Sequence, residues 1–221
     1  THKSTPEKPR YRLVIPLPYD INVNEYEPIA RKVAEEFGID TFDDSTYEVN
    51  RMMYFPTVSK DGVYIFKVFD KGKLLDPKFY LSKYVDFLDV SEYPHSSRTD
   101  DKINHERKNL GDPLLKKNVI GAFCNSYTIV DAIKTFLSDI YRETRREDRY
   151  DFIEADSKNG VRIFDNKFLY SHHSSDPASG QLLNAFDVVR IHKFGALDKD
   201  SKTTQVTRLL SYRKMCDFAL S

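Results

Sequence analysis

The chain has 221 residues, 31% charged and 13% aromatic, with Lys+Arg and Asp+Glu both at 34, so its formal net charge is zero. That length suffices for one large domain or two small ones, and the balance excludes a polycation drawn to nucleic acid by net charge alone, although a local basic patch still carries the salt-dependent phosphate interaction. Two distant cysteines, Cys124 and Cys216, exclude a four-cysteine zinc ribbon and a disulfide framework and suit a reducing cytoplasm. No apolar run approaches the ~18 residues of a membrane span, so no membrane partner is expected.

In chain order, Tyr11–Ile15 reads as a short strand stopped by Pro16 and Pro18. Asn24 and Glu27 have the spacing of a capping box, and Tyr26, Ile29, Ala30, Val33, Ala34 and Phe37 form one apolar helical face ended by Gly38. Phe42–Thr46 reads as a turn and Arg51–Phe55 as a strand running into Pro56. Val63–Phe69 and Lys73–Leu75 read as a hairpin, and Asp76-Pro77 starts a helix to about Leu88. Ser91–Asp112 is polar and aperiodic, the pattern of a linker, which puts residues 1–90 and 113–221 in separate domains.

In the second half, Thr128 and Asp131 make a second capping box, followed by an apolar face from Ile129 to Ile140. The run Arg142–Arg149 reads as a solvated helix end. Tyr150–Ile153, Val161–Phe164 and Phe168–Ser171 form a meander with turns at Asn159-Gly160 and Asp165-Asn166. Asn184 with Asp187 caps a helix through His192, and a last helical stretch spans Gln205–Leu220. The fold class is therefore α+β.

Two regions carry candidate chemistry. At the N-terminal end, His2 precedes a stretch holding Lys3, Lys8, Arg10 and Arg12, and Asp43 and Asp44 follow a helix. A carboxylate and an imidazole from neighbouring segments suit a divalent metal with a nucleotide phosphate, because hard oxygen ligands hold magnesium or manganese. The alternative is a solvated histidine and an Asp-capped turn. In the central block, His172, His173 and Asp176 lie within one turn, with His192 as a further ligand for a metal. Adjacent side chains leaving a strand point to opposite faces, which disfavours a shared ion. The simpler reading makes them loop hydrogen bonds and caps. A third reading is nucleic-acid contact, with Arg162, Lys167, His172, His173, Arg190, His192 and Lys193 near phosphates and Phe168 and Tyr170 stacking on bases.

The segments THKSTPEKPRYRLVIPL and GIDTFDDSTYEVNRMMYFP resemble the second half of an archaeo-eukaryotic-type primase–polymerase domain. Thr1-His2 is similar to the end of that family's Ser-x-His motif, Phe42-Asp43 to its hydrophobic–acidic metal motif, and Arg51 with Pro56 to its Arg-x-x-x-x-Pro strand. DPLLKKNVIGAFCNSY through SYRKMCDFALS, above all SHHSSDP…NAFDVVRIHKFG, resembles the region before the helicase domain of virulence-associated protein E-like replication proteins of phages and mobile elements.

The resemblance implies residues 1–90 as the C-terminal part of a primase–polymerase-like domain and 113–221 as a DNA-binding accessory region with a small antiparallel meander. It implies His2, Asp43 and Asp44 as catalytic residues and Asp43 as a metal ligand for Mg2+ or Mn2+. Lys3, Lys8, Arg10, Arg12, Arg51, His172, His173, Arg190 and Lys193 would contact nucleotide or DNA. The implied partners are DNA, nucleotides and a helicase-type ATPase domain, in a bacterial host's cytoplasm. The family's first acidic motif and the phosphate-binding GxxxxGK[ST] loop are not found in the sequence, so a fragment inactive alone is expected. A non-enzymatic DNA-binding or adaptor module and a metal-dependent nuclease using His172, His173 and Asp176 are the alternatives.

Overall fold

The computed structural model describes residues 4–5, 7–58, 60 and 64–221, as two compact units, Thr1–Val85 and Asp86–Ser221. Among the described residues there are seven α-helices and one five-stranded antiparallel sheet, so the chain is α+β.

The first unit is built on α1 (Val23–Phe37). Its cap is Asn22, two residues before the expected one. Asn22 accepts from the amides of Asn24 and Glu25, and the Glu25 carboxylate accepts from the Asn22 amide at 2.8 Å. The sequence repeats the Asn-x-x-Glu spacing at 22–25 and 24–27, and the earlier box adds helix length. Gly38 ends α1 at φ 88°, a conformation that side chains disfavour. Ile29, Val33 and Ala34 are buried as the apolar face requires, whereas Phe37 is exposed. The helix α2 (Pro77–Leu81) is shorter than the sequence indicates, with Asp76 capping Lys78. Tyr84 donates to the Pro28 carbonyl (2.8 Å), and Glu36 accepts from Tyr80 and Lys83.

No strand forms among the described residues of this unit. Residues 11–15, 51–55 and 64–75 run without a ladder and leave Val14, Tyr54, Phe55 and Phe69 largely exposed. Strand-forming sequence alone does not make a strand, because its backbone groups need a neighbour to pair with. Val63, the start of the expected hairpin, lies outside the described residues.

The second unit is organised around the sheet, whose strands β1 (Tyr141–Glu143), β2 (Arg149–Phe152), β3 (Val161–Phe164), β4 (Phe168–Ser171) and β5 (Leu182–Asn184) lie side by side in chain order. The three expected strands are present. The charge run expected to end a helix instead supplies β1, the connecting turn and the start of β2. At the β3–β4 turn, Asp165 and Asn166 both have φ near 52° and the Lys167 amide donates to the Phe164 carbonyl, the geometry that suits a right-twisted hairpin.

Alternation sends Tyr150, Phe152, Val161, Ile163, Leu169 and Leu183 to one face of the sheet. Packed there are α4 (Val119–Ser126), α5 (Ile129–Phe136), α6 (Ala185–Phe194) and α7 (Leu210–Leu220), with Phe123, Ile129, Ile133, Phe186, Val188, Val189 and Met215 completing the core. Each such fully buried large side chain stabilises the fold by about 1.5–3 kcal/mol. A reciprocal capping box starts α5 and a one-way Asn184 cap starts α6, both where the sequence puts them. Thr128 accepts from the Asp131 amide, and Asn184 accepts from the Asp187 amide. The short α4, capped by Asn118, has no counterpart in the sequence reading.

The segment read as an unstructured linker is largely helical. Its helix α3 (Ser97–Leu110) lies on the opposite face of the sheet. Ile103 is its one buried residue, set among Phe168, Tyr170 and Leu182 with Phe164 beside them. That single buried anchor explains the aperiodic sequence, since Ile103 and the exposed Leu110 make no visible stripe in four turns. Isolated helices of about this length are marginal. Around that anchor lie the ion pairs Arg107 with Asp165 and Arg162 with Asp100 at 3.8 Å, and exposed pairs contribute about 0–1 kcal/mol each; the Arg107 guanidinium also lies 5.7 Å from the Phe164 ring centroid.

Candidate nucleic-acid interface

The face of the sheet under α3 carries the residues of interest. Register sets Arg149 directly opposite Arg162, Arg162 opposite Tyr170, and Phe164 opposite Phe168. The Arg162 guanidinium sits 4.6 Å from the Phe164 ring centroid, and the His172 ring meets Tyr170 edge-on at 4.8 Å. Like charges directly opposite across strands are destabilising. Burial, and then the charge of Arg162, push the Arg149 guanidinium below its ordinary range. Arg149 donates to the Asn159 carbonyl at 3.0 Å, and Arg146 lies 3.3 Å from Asp89. Two arginines and three aromatic rings thus share one face of three strands.

His173, unlike His172, faces elsewhere. His173 is 3% exposed, with Nδ1 2.9 Å from the Ser157 hydroxyl, and its Nε2 has no hydrogen-bond partner among the described residues. Nε2 rests on Gly160, where an added Cβ would stand 2.4 Å away. The glycine of the Asn159-Gly160 turn is therefore needed for this close approach, while Asn159 takes the positive φ of 56°. Burial lowers the His173 pKa, outweighing the opposite pull of Asp176 and Asp151. A histidine held neutral by folding stabilises above its unfolded pKa and loses that contribution as pH falls through the folded value. Acidification from 6.5 toward 4.5 should therefore lower the urea midpoint of the wild type, and His173→Gln should flatten this part of the profile.

Asp176 is the hub of a buried network. Its side chain accepts from the Tyr141 hydroxyl (2.9 Å) and the Ala178 amide (2.8 Å) and lies 3.4 Å from His192 Nε2, which is 2.7 Å from the Tyr141 oxygen. Burial alone would raise the Asp176 carboxyl, but hydrogen bonds from His192, Ser171 and the Ala178 amide outweigh it and the net shift is downward. Burial and the neighbouring carboxylate raise the Tyr141 phenol. Arg190, 6% exposed, is bound by Asp187 Oδ1 (3.0 Å) and Ser211 Oγ (3.0 Å), with Asp198 at 4.0 Å.

This geometry sorts the expected DNA contacts. His173, Arg190 and His192 are buried and engaged with protein groups, so a nucleic acid does not reach them without unfolding. Lys193 is exposed on α6, its ammonium 5.7 Å from the Phe218 ring, and Lys167 pairs with Asp112 at 2.6 Å. Arg162, Phe168, Tyr170 and His172 share the sheet face described above. Arg149 was missed because its charge run hid the period-two pattern of Arg149–Phe152.

In the first unit, Asp43 caps the 3-10 turn Asp44–Tyr47, accepting from the Ser45 amide (3.1 Å) and hydroxyl (2.7 Å). Asp44 is half-buried within that turn. Lys8, Arg10 and Arg51 are exposed, and Arg12 donates to the Tyr54 carbonyl. His2 and Lys3 lie outside the described residues. Among the described residues, no three His, Cys, Asp or Glu side chains converge to hold a metal ion, at Asp43 or at the histidine turn. These residues by themselves do not fit a divalent-metal centre. No described helix is long and apolar enough to cross a membrane.

The class is thus an α+β chain pairing a small helical unit with a helix-covered antiparallel sheet. Residues 1–96 match the family model described as VapE N-terminal domain, a match that stops just before α3. No curated protein and no solved structure matches the chain. Over those residues, which are less than half of its length, the chain is similar to VapE-like proteins.

Proposed function

We propose that this chain is the nucleic-acid-engaging part of a mobile-element replication protein, and that its second unit binds DNA through the sheet face under α3. One observation carries this reading: the Arg149–Arg162 pair beside the ring row Phe164, Phe168 and Tyr170. A phosphate between the arginines relieves their repulsion, and the rings offer stacking surfaces that tolerate any base. The test is anisotropy of a labelled oligothymidylate across a salt series. Arg162→Gln should weaken binding about five- to tenfold and reduce the salt slope by roughly 0.7, one phosphate contact on a single strand. Unchanged affinity and slope would remove this face from consideration.

The finer reading is primer synthesis by the complete protein in a bacterial cytoplasm, with a helicase-type ATPase domain as partner. Its support is the likeness of Phe42-Asp43 to a metal-binding motif, with Mg2+ or Mn2+ held by Asp43 and carboxylates from elsewhere, and with His2, Asp44, Lys3, Lys8, Arg10, Arg12 and Arg51 around the nucleotide. Asp43→Asn keeps the cap on the Ser45 amide while removing the charge, so it is a cleaner test than alanine, which also loses the cap at about 1 kcal/mol. Primer synthesis by the complete protein should disappear with Asp43→Asn while the unfolding transition stays in place. The nuclease alternative finds no support in the positions of His173 and Asp176, which are turned to Ser157 and Tyr141.

A further inference from the structure

We infer that α3 is a displaceable strap, and that single-stranded nucleic acid competes with it for the sheet face beneath. This deepens the reading above and rests on it. The helix covers Phe168 and Tyr170 through Ile103, its one buried residue, and sets the Arg107 guanidinium 5.7 Å from the Phe164 ring centroid. Its carboxylates stand where phosphates would. Asp100 lies 3.8 Å from Arg162, and Glu106 is close enough to add to the burial that raises the Tyr170 phenol. Lys102, 3.9 Å from Glu106, and Lys108 are both exposed on the helix, so lifting α3 removes Asp100 and Glu106 from the face, together with the Arg107 guanidinium beside Phe164.

The flanks of α3 are fixed. Before it, the Val90 amide donates to the Lys158 carbonyl and the Lys158 amide to the Leu88 carbonyl. After it, Asp112 pairs with Lys167. Between the helix and that second anchor sits Gly111, at φ 64° and ψ −178°, a conformation a β-carbon disfavours and a natural pivot. The helix therefore has a way to move as one piece while both ends stay attached. The covered surface suits unpaired bases rather than duplex, since rings lying on a sheet stack only on bases freed from a helix.

The experiment uses the full chain with an oligothymidylate, reading anisotropy and backbone hydrogen exchange together. On binding, amides of residues 97–110 should exchange faster while those of β3 and β4 slow. Ile103→Ser, which removes the anchor, should tighten binding about tenfold, because affinity scales with the population of the uncovered form. Asp100→Asn, an exposed substitution that leaves the core intact, should tighten it about threefold on the same ground. Slower or unchanged exchange in α3 on binding, or failure of both variants to tighten it, overturns the strap. If the wild type binds and Arg162→Gln weakens it while α3 does not respond, the strap alone fails and the sheet-face reading stands. If neither the wild type nor the loosened variants bind, both fail.

Discussion

Asp176→Ala should lower the stability of the second unit by about 3–5 kcal/mol, the scale for removing one partner from a buried charged network. The carboxylate side chain is wholly buried and serves Tyr141, the Ala178 amide and His192 at once. Alanine leaves the Ala178 amide without its acceptor and leaves the Tyr141 hydroxyl with His192 Nε2 alone of its two partners. These partners lie on β1, in the loop after β4 and on α6, so the loss spreads over the whole sheet-and-helix body. A urea titration followed by far-UV circular dichroism should show the midpoint of this unit falling with little change in slope. Asp176→Asn keeps an acceptor for the Ala178 amide and should fall between wild type and alanine. A metal-ligand role makes the opposite forecast, that alanine leaves the midpoint in place and removes metal-dependent cleavage.

The contrast explains which parts of the molecule were legible in its sequence. Helix caps are local, and the box at Thr128–Asp131 and the Asn184 cap appear at the residues that spell them, although Asp187 meets the Asn184 side-chain amide and not its backbone. Where the spacing occurs twice, as at Asn22 and Asn24, sequence alone does not choose. Strands β2 to β4 were legible because alternation and turn residues agree, with Asp165 and Asn166 tolerating positive φ. Strand β1 was hidden by Arg142 and its charged neighbours, whose partners Asp151 and Asp89 are distant in the chain or separated by a turn. Helix α3 was hidden because Ile103 is its one buried residue. In the first unit the strand-like segments 11–15, 51–55 and 64–75 have the composition of strands without partners to pair with. For the site, residue type suggested a histidine cluster, but burial decided against it. His173 and His192 are held inside while Arg149, next to a turn, faces the surface that matters. A pairing register is a long-range fact, and no local pattern announces that two arginines will stand opposite each other.

Arg190→Ala should prove comparably damaging, near 3 kcal/mol, the lower end of the range for breaking a buried pair, because Asp187 and Asp198 keep 21% and 16% exposure and so retain some solvation. The arginine reads as a phosphate contact in the sequence, sitting on a helix with His192 and Lys193. In the fold it fastens α6 to α7. Its Nε binds Asp187 on its own helix, its Nη1 donates to Ser211 at the start of α7, and the Ser211 amide donates in turn to Asp198 at 3.0 Å. Ser211 is fully buried, so its hydroxyl has no ready substitute when the guanidinium is gone. The damage should start at the α7 side. Hydrogen exchange at residues 210–220 should accelerate before that of the sheet, since once this tie is lost α7 rests on the core by Met215 with the partly buried Tyr212, Cys216, Phe218 and Ala219. Arg190→Met with Asp187→Asn, which removes charge from both sides of the tie, should recover part of the loss. Oligonucleotide affinity, measured where the variant remains folded, should match the wild type, because Arg190 lies on the helical side of the sheet while the Arg149–Arg162 pair lies on the other. A variant of normal stability that loses affinity would return Arg190 to the nucleic-acid surface and take the division of labour between the two faces with it.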